Sequence, residues 1–195
     1  MLTLFKNDRL AKAYQAILTD DQDKLLKQLK KIKKEDIDKP TSEETPGLIE
    51  ACIQQQKPKL LNLVLKHGAA PSGIGLDNTP YAIIAIQKDE SLALLGELLK
   101  AGNEEDKNHL LDQCFEHCPA TQRMLHIALL LQYGAEIDQQ ILIKALELGE
   151  LPLIHFLINS GAELPENQSN DNISKAAFEY AKKCAADLEI RKMFL

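Results

Sequence analysis

The chain has 195 residues, of which 45% are hydrophobic and 5% aromatic, and its net charge is −6. That length supports a continuous buried core of Leu, Ile and Ala, while the acidic balance argues against a general nucleic-acid binder and favours a basic partner. Its four cysteines are too few for the disulfide framework of a small secreted domain. No uncharged apolar run approaches the ~18 residues that a membrane span needs.

One phrase recurs along the chain at nearly regular intervals. Full copies begin at Leu60, Leu94, His126 and Leu153, and a degenerate copy begins at Leu25, so the intervals are 35, 34, 32 and 27 residues. A period in this range is typical of a solenoid, in which a single repeat cannot bury its apolar face alone and stacks on its neighbours. The sequence therefore predicts an all-α helical-repeat solenoid of about five units.

Each full copy predicts a helix that ends at a glycine. In the first one, Leu60, Leu61, Val64 and Leu65 form a wide apolar stripe, and Gly68 follows at the place where a left-handed residue ends a helix. The other copies are followed in the same way by Gly102, Gly134 and Gly161.

A shorter helix is expected before two of these copies, because each is preceded by a Thr-Pro pair. Thr45-Pro46 and Thr79-Pro80 lie 34 residues apart, and each pair lies 23 residues before the next terminal glycine. We expect the Thr side chain to cap the short helix while Pro occupies its first turn. Pro58 separates the two helices of the first such repeat, so the second helix should begin at or just after Pro58.

Together these features resemble the ankyrin repeat. That family has TPLH at the start of a first helix, a second helix that ends in LLxxGA, and a finger-like turn to the next repeat. Thr79-Pro80-Tyr81-Ala82 and Thr45-Pro46-Gly47-Leu48 occupy the TPLH position, although both lack the His. The resemblance covers roughly residues 20 to 165 and implies stacked helix pairs, a concave binding surface and a protein partner.

We expect a single ankyrin-like domain over residues 1–195. Residues 1–44 are predicted to form a degenerate N-terminal unit that contains a helix over residues 8–18. Residues 45–165 are predicted to form the repeats, and one helix of this region should cover residues 139–148. Residues 166–195 form a C-terminal helical cap that begins with the polar loop PENQSNDN and continues as a helix from Ile173. Terminal repeats are expected to be atypical because one of their faces meets water.

A group of cysteine and histidine residues lies between positions 109 and 126, namely His109, Cys114, His117, Cys118 and His126. Cys114 and Cys118 are one helical turn apart, and such a set is chemically suited to zinc. However, no CxxC pair is present, and Cys118 and Cys52 fall where the ankyrin family has a small buried residue. No Cys lies at an evident helix N-terminus or in a catalytic signature either. We therefore interpret these cysteines as core residues and expect no metal, no cofactor and no catalytic residue.

The stretch from Lys24 to Lys34 contains six lysines and no acidic residue. Lys24, Lys27, Lys31 and Lys34 recur at helical spacing, so one face of the predicted helix is cationic. We interpret this face as the solvated outer surface of a terminal repeat, with anionic lipid or nucleic acid as the alternative ligand.

The turn from Gly68 to Thr79 is the strongest candidate for a binding surface. It carries Ile74 and Leu76 where the family has polar residues, and exposed apolar side chains on a finger tip are suited to anchor a partner. In the alternative interpretation, one of the two side chains folds back onto a neighbouring finger. Acidic residues of the adjacent turns would suit a basic partner; they are Glu43, Glu44, Glu104, Glu105 and Asp106.

The leading hypothesis is a non-enzymatic protein-protein interaction module that binds a partner protein through its finger turns and concave helix surface. The predicted surface is centred on Ile74, Leu76 and Asp77 and extends to Gln55 and Lys88. The alternative is a bacterial effector that is secreted into a host cell and either has an enzymatic activity or regulates an enzyme. EIRKMFL at the C-terminus has the charged-then-apolar character of some secretion signals. Because the N-terminus lacks a signal-peptide pattern, we expect a cytoplasmic protein, with export by another signal as the alternative.

Overall fold

A computed structural model describes residues 2–40, 42, 44–165 and 172–194 of the chain. Glu43 and most of the PENQSNDN loop, residues 166–171, lie outside these described residues. Within them, β structure is limited to two isolated bridges, Ser42–Thr45 and Ile74–Pro80. The described helices are α1 (Leu2–Leu18), α2 (Gln22–Leu29), α3 (Leu48–Gln54), α4 (Pro58–Lys66), α5 (Tyr81–Ile86), α6 (Ser91–Lys100), α7 (Lys107–His117), α8 (Ala120–Gln132), α9 (Gln139–Leu148), α10 (Leu151–Asn159) and α11 (Lys175–Lys192).

The helices form five successive pairs followed by α11. Contacts join α1 to α2, α3 to α4, α5 to α6, α7 to α8 and α9 to α10. The second helix of every pair is one of the five copies of the repeated phrase. The predicted all-α repeat fold of about five helix pairs is therefore confirmed.

The chain contains two compact units, an N-terminal unit over Met1–Asp106 and a C-terminal unit over Lys107–Leu195. In the N-terminal unit, α1 contacts α3 and α3 contacts α5, while α2 contacts α4 and α4 contacts α6. In the C-terminal unit, α7 contacts α9, and α11 contacts both α9 and α10. Equivalent helices of successive repeats thus stack within each unit, as in a solenoid. One domain over residues 1–195 stays a prediction.

Glycines end four of the second helices, as predicted. Gly68, Gly102, Gly134 and Gly161 have left-handed φ angles of 100°, 92°, 91° and 104°. After each of them the next amide donates a hydrogen bond back to a carbonyl in the last turn, as Asn103 does to Leu98 at 3.1 Å. This bond satisfies a carbonyl that would otherwise lack a partner within the helix. The predicted start of α4 at Pro58 and the predicted extent of α9 are confirmed as well.

The predicted threonine caps are wrong. The N-cap residues of α3 and α5 are Gly47 and Pro80, and neither helix start has a side-chain cap. Pro80 is extended, with ψ of 141°, so α5 begins one residue later than predicted. The Thr45 hydroxyl is instead 2.7 Å from that of Ser42. The Thr-Pro pairs therefore mark the ends of the preceding turns and not the first turns of the helices.

The core consists of the apolar stripes that the repeat pattern predicts. Leu98 and Leu130 occupy equivalent positions on α6 and α8, and both are fully buried. Cys52 and Cys118 are buried too, as expected for small core positions. No helix in the described part of the chain is long and apolar enough to cross a membrane.

Candidate functional site

The turn between α4 and α5 is a narrow, hydrogen-bonded finger. Ile74 and Pro80 form an antiparallel bridge, and the Gly75 amide donates to the Thr79 carbonyl at 2.8 Å. Asn78 has a left-handed φ of 63°, which lets the chain reverse direction within a few residues. The finger therefore has a defined backbone conformation and projects its tip residues from a fixed base.

A buried carboxylate on the preceding repeat holds the finger tip. Glu50 on α3 is buried, and its Oε2 accepts a hydrogen bond of 3.1 Å from the Leu76 amide. Gly75 passes so close to this carboxylate that an added Cβ would lie 2.7 Å from Ile84 Cδ1 and 2.9 Å from Glu50 Oε1. Any other residue at this position would force the Ile84 and Glu50 side chains to shift. Glu50 was not predicted as a site residue, although an acidic residue inside the apolar stretch LIEACI was a signal for it.

The finger is also joined to the turns on either side of it. At its base, the Ala70 amide donates to Asp38 Oδ1 of the preceding turn at 3.0 Å. On the other side, Asn103 Nδ2 of the following turn donates to the Pro71 carbonyl at 3.0 Å. Successive turns of the N-terminal unit therefore form one hydrogen-bonded row.

Ile74 and Leu76 project from this row into solvent. Their exposed fractions are 57% and 50%, so neither side chain is folded away against a neighbouring finger. Asp77 beside them is exposed, and its Oδ1 accepts from the Thr79 amide at 3.2 Å. We call Ile74, Leu76 and Asp77 the finger patch.

Gln55 and Lys88 lie at the C-terminal ends of the first helices, as the sequence predicts. Gln55 follows the last residue of α3, and Lys88 lies two residues beyond the end of α5. At 1.5 Å per residue, α5 alone places Lys88 roughly 10 Å along the helix from the base of the finger. The Lys88 ammonium donates to Gln54 Oε1 at 2.6 Å, so it joins successive repeats. The place of Gln55 and Lys88 in the predicted binding surface stays a prediction.

The turns beside the finger patch carry exposed acidic residues. Asp38, Glu44, Glu104 and Asp106 are exposed, whereas Glu105 is half-buried. Glu43, which completes the predicted acidic set, lies outside the described residues. The finger row consequently combines two exposed apolar side chains with a surrounding negative charge.

Three of the five residues in the cysteine and histidine group come together. The Cys118 thiol forms hydrogen bonds with the side chains of Cys114 and His126, whereas His109 and His117 are exposed elsewhere on α7. Within the described residues, no group of three or more His, Cys, Asp or Glu is arranged to hold a metal ion. The three residues are therefore a buried polar cluster at the junction of α7 and α8.

The six lysines of the basic stretch are all exposed. Lys24 pairs with Asp21 at 2.8 Å and Lys33 with Glu35 at 3.5 Å. Two of the six positive charges are thus partly neutralised within the chain, which agrees with a solvated outer face. Binding of anionic lipid or nucleic acid to this face stays the alternative prediction.

The C-terminal unit has an apolar groove with a volume of about 510 Å³ at the turn between α9 and α10. Leu148 and Leu151 are exposed beside it, with exposed fractions of 53% and 42%. This second apolar surface matches the finger patch in chemistry and exposure, and it provides a control for experiments on the finger.

Comparisons with known proteins give similarity at the level of the fold. No protein-family model and no curated protein matches the sequence. Among solved structures, the chain is similar to the ankyrin repeat domain of Bcl-3, a member of the IkappaB protein family, with a TM-score of 0.49 and 15% identity. The similarity covers 88% of this chain and 97% of that one.

Proposed function

We propose that this protein is a non-enzymatic interaction module that binds a partner protein with its finger patch. The observation that carries the proposal is the half-exposed pair Ile74 and Leu76 on a finger whose backbone is fixed by Glu50. Interface energy is concentrated in a few apolar anchors within a polar rim, and anchors that are already held in place lose less entropy when they bind.

The charge around the finger patch favours a basic partner. Asp77 lies within the patch, and exposed carboxylates occupy the turns before and after it. Positive side chains of a partner would meet these carboxylates at the rim, where electrostatic complementarity accelerates association and selects among partners. The proposal places the anchors at the centre and the acidic side chains around them. Gln55 and Lys88 would contact only a partner large enough to reach the far ends of α3 and α5.

The test is a pull-down from cell lysate with the purified chain and two double variants. The variant Ile74→Ser/Leu76→Ser removes both anchors of the finger patch while leaving Gly75 and the Leu76 amide in place. The variant Leu148→Ser/Leu151→Ser removes an equally exposed apolar pair from the C-terminal unit. Proteins captured by the wild type are compared by mass spectrometry, and circular dichroism melting verifies that each variant is folded.

We expect the finger variant to lose a protein that both the wild type and the control variant retain. Added salt should weaken capture if the rim contacts are ionic. Retention of every captured protein by the folded finger variant would contradict the proposal. Loss in the control variant alone would assign binding to the groove of the C-terminal unit instead.

A further inference from the structure

Two thiols meet at the end of α7. Cys118 directly follows the last residue of the helix, and its amide donates to the Cys114 carbonyl at 3.0 Å. The two residues are therefore one helical turn apart, and their side chains are hydrogen-bonded to each other. Both thiols are buried, but the residues of the turn around Cys118 are exposed: Glu116, His117, Pro119 and Ala120. Cys118 therefore lies directly beneath the surface.

His126 on α8 is oriented as a base for Cys118. Its Nδ1 lies 3.0 Å from the carbonyl oxygen of Gln122. A carbonyl oxygen only accepts hydrogen bonds, so Nδ1 carries the hydrogen and Nε2 is left to take the proton of the Cys118 thiol. A base held by a third group in this way is the usual arrangement around an activated nucleophile.

Arg123 adds a fixed positive charge at the same turn. Its guanidinium donates to the Cys118 carbonyl at 2.8 Å and to the Cys114 carbonyl at 3.3 Å, and it is paired with Glu150. These hydrogen bonds satisfy the carbonyls at the end of α7 and keep the charge beside the two thiols. The Cys114 hydrogen bond, His126 and Arg123 together outweigh burial and lower the pKa of Cys118.

The other cysteines have different surroundings. Cys52 is completely buried on α3, and burial alone raises the pKa of its thiol. Cys184 is buried on α11, where its neighbour is the hydroxyl of Tyr180. Reactivity follows the thiolate, so these two residues are internal references for Cys118.

We propose that Cys118 is a peroxide-reactive thiol and that Cys114 is its resolving partner. In the first step the Cys118 thiolate attacks one oxygen of hydrogen peroxide, the O–O bond breaks, and the leaving hydroxide takes the proton held by His126 to depart as water. Cys118 is then a sulfenic acid. In the second step the Cys114 sulfur attacks the Cys118 sulfur, the S–O bond breaks, and the hydroxyl leaves as a second water with the Cys114 proton. Two thiols are oxidised to one disulfide while one peroxide is reduced to two waters.

The disulfide would change the α7–α8 turn. The Cβ atoms of helical residues four positions apart lie about 5–6 Å from each other, whereas those of a disulfide are about 3.8 Å apart. The last turn of α7 must therefore open when the bond forms, which displaces the carbonyls that Arg123 holds. Peroxide is thus coupled to a local rearrangement of the C-terminal unit.

The experiment treats the folded full-length chain with one equivalent of hydrogen peroxide at neutral pH and follows each cysteine by peptide mass spectrometry. We expect a Cys114–Cys118 disulfide, formed at least about tenfold faster than any oxidation of Cys52 or Cys184. Cys114→Ser should stop at the sulfenic acid, which a 1,3-diketone reagent captures at Cys118. His126→Gln should slow the first step, whereas the matched control Cys52→Ser should react like the wild type.

The oxidation rate of each cysteine is measured in the wild type, so the test does not depend on whether any variant folds. Oxidation of Cys114 and Cys118 at the same rate as Cys52 and Cys184 would overturn the proposal, because it would show that the cluster does not activate its thiol. Sulfenic acid without a disulfide in the wild type would overturn the role of Cys114.

Discussion

The Glu50 carboxylate accepts a hydrogen bond of 3.1 Å from the backbone amide of Leu76, 26 positions later in the chain. This contact joins the first helix of one repeat to the finger of the next. The same carboxylate lies where a Cβ on Gly75 would collide with it. The position of the finger patch therefore depends on a buried acidic residue that does not itself reach the surface.

Replacing Glu50 should loosen the finger. Glu50→Ala leaves the partly buried Leu76 amide without its charged acceptor and should lower the free energy of unfolding by about 1–3 kcal/mol. Amide hydrogen exchange at Leu76 should accelerate more than exchange within α4. Glu50→Gln keeps one acceptor oxygen and should have a smaller effect on both measurements. Glu104→Ala, on an exposed side chain of the next turn, is the control; equal effects from it would contradict this role of Glu50.

The sequence predicted the repeats because their signals are local. Gly68 and Pro58 determine where α4 ends and begins through backbone geometry alone, and the Leu stripe determines which face is buried. The threonine caps were predicted wrongly because the extended conformation of Pro80 depends on the finger that precedes it. Contacts between distant residues were not visible in the sequence, and Glu50 is the main example.

The candidate sites also depend on contacts that the sequence does not show. Exposure of Ile74 and Leu76 was one of two interpretations of their Gly-flanked turn, and the structure has both side chains exposed. Likewise, the sequence placed Cys118 and His126 in one group, but the orientation of the imidazole depends on the Gln122 carbonyl.

The repeat register makes a quantitative prediction about the core. Leu98→Ala and Leu130→Ala should each lower the free energy of unfolding by about 2–5 kcal/mol, because both side chains are fully buried and each change leaves a cavity. Urea unfolding provides the measurement. Leu148→Ala, on an exposed leucine, should cost no more than about 0.5 kcal/mol. Similar small costs at all three positions would mean that Leu98 and Leu130 do not occupy equivalent core sites.

Arg123 should be the most sensitive charged residue of the C-terminal unit. Arg123→Ala leaves Glu150 and the Cys118 carbonyl without the guanidinium that binds both, and we expect a loss of about 3–5 kcal/mol. Arg123→Lys keeps the charge but not the branched set of donors, so it should recover only part of that loss. Lys144→Ala removes the more exposed pair with Asp112 and should cost less than about 1 kcal/mol. An equal cost for Lys144 and Arg123 would contradict the expected ranking.

The Cys118–His126 pair should give stability a characteristic pH dependence. The Cys114 hydrogen bond lowers the pKa of Cys118 from its usual 9.0 to about 5. The contribution of the Cys118 thiolate to the free energy of unfolding is therefore complete above pH 9.0 and is lost as the pH falls toward 5. Burial lowers the pKa of His126, but hydrogen bonds to Cys118 and Gln122 outweigh burial and raise the pKa above its usual 6.5. The contribution of the His126 imidazolium to the free energy of unfolding is therefore complete below pH 6.5 and is lost at higher pH.

The two contributions change over different ranges of pH. Between pH 5 and 6.5 only the Cys118 contribution changes, because the folded chain holds the thiolate while the unfolded chain holds the thiol. The difference in unfolding free energy between the wild type and Cys118→Ser, measured by urea titration, should therefore rise from pH 5 to 6.5. A difference that does not vary with pH would show that Cys118 is a neutral thiol in the folded chain.

Affinity for a partner recovered in the pull-down tests the central claim most directly. Isothermal titration with the wild type, Ile74→Ser/Leu76→Ser and Leu148→Ser/Leu151→Ser would measure the contribution of each apolar pair. If the finger patch anchors the partner, the first variant should bind at least about 100-fold more weakly, while its melting temperature and the affinity of the second variant remain close to the wild type. Unchanged affinity in a folded Ile74→Ser/Leu76→Ser variant would contradict the account.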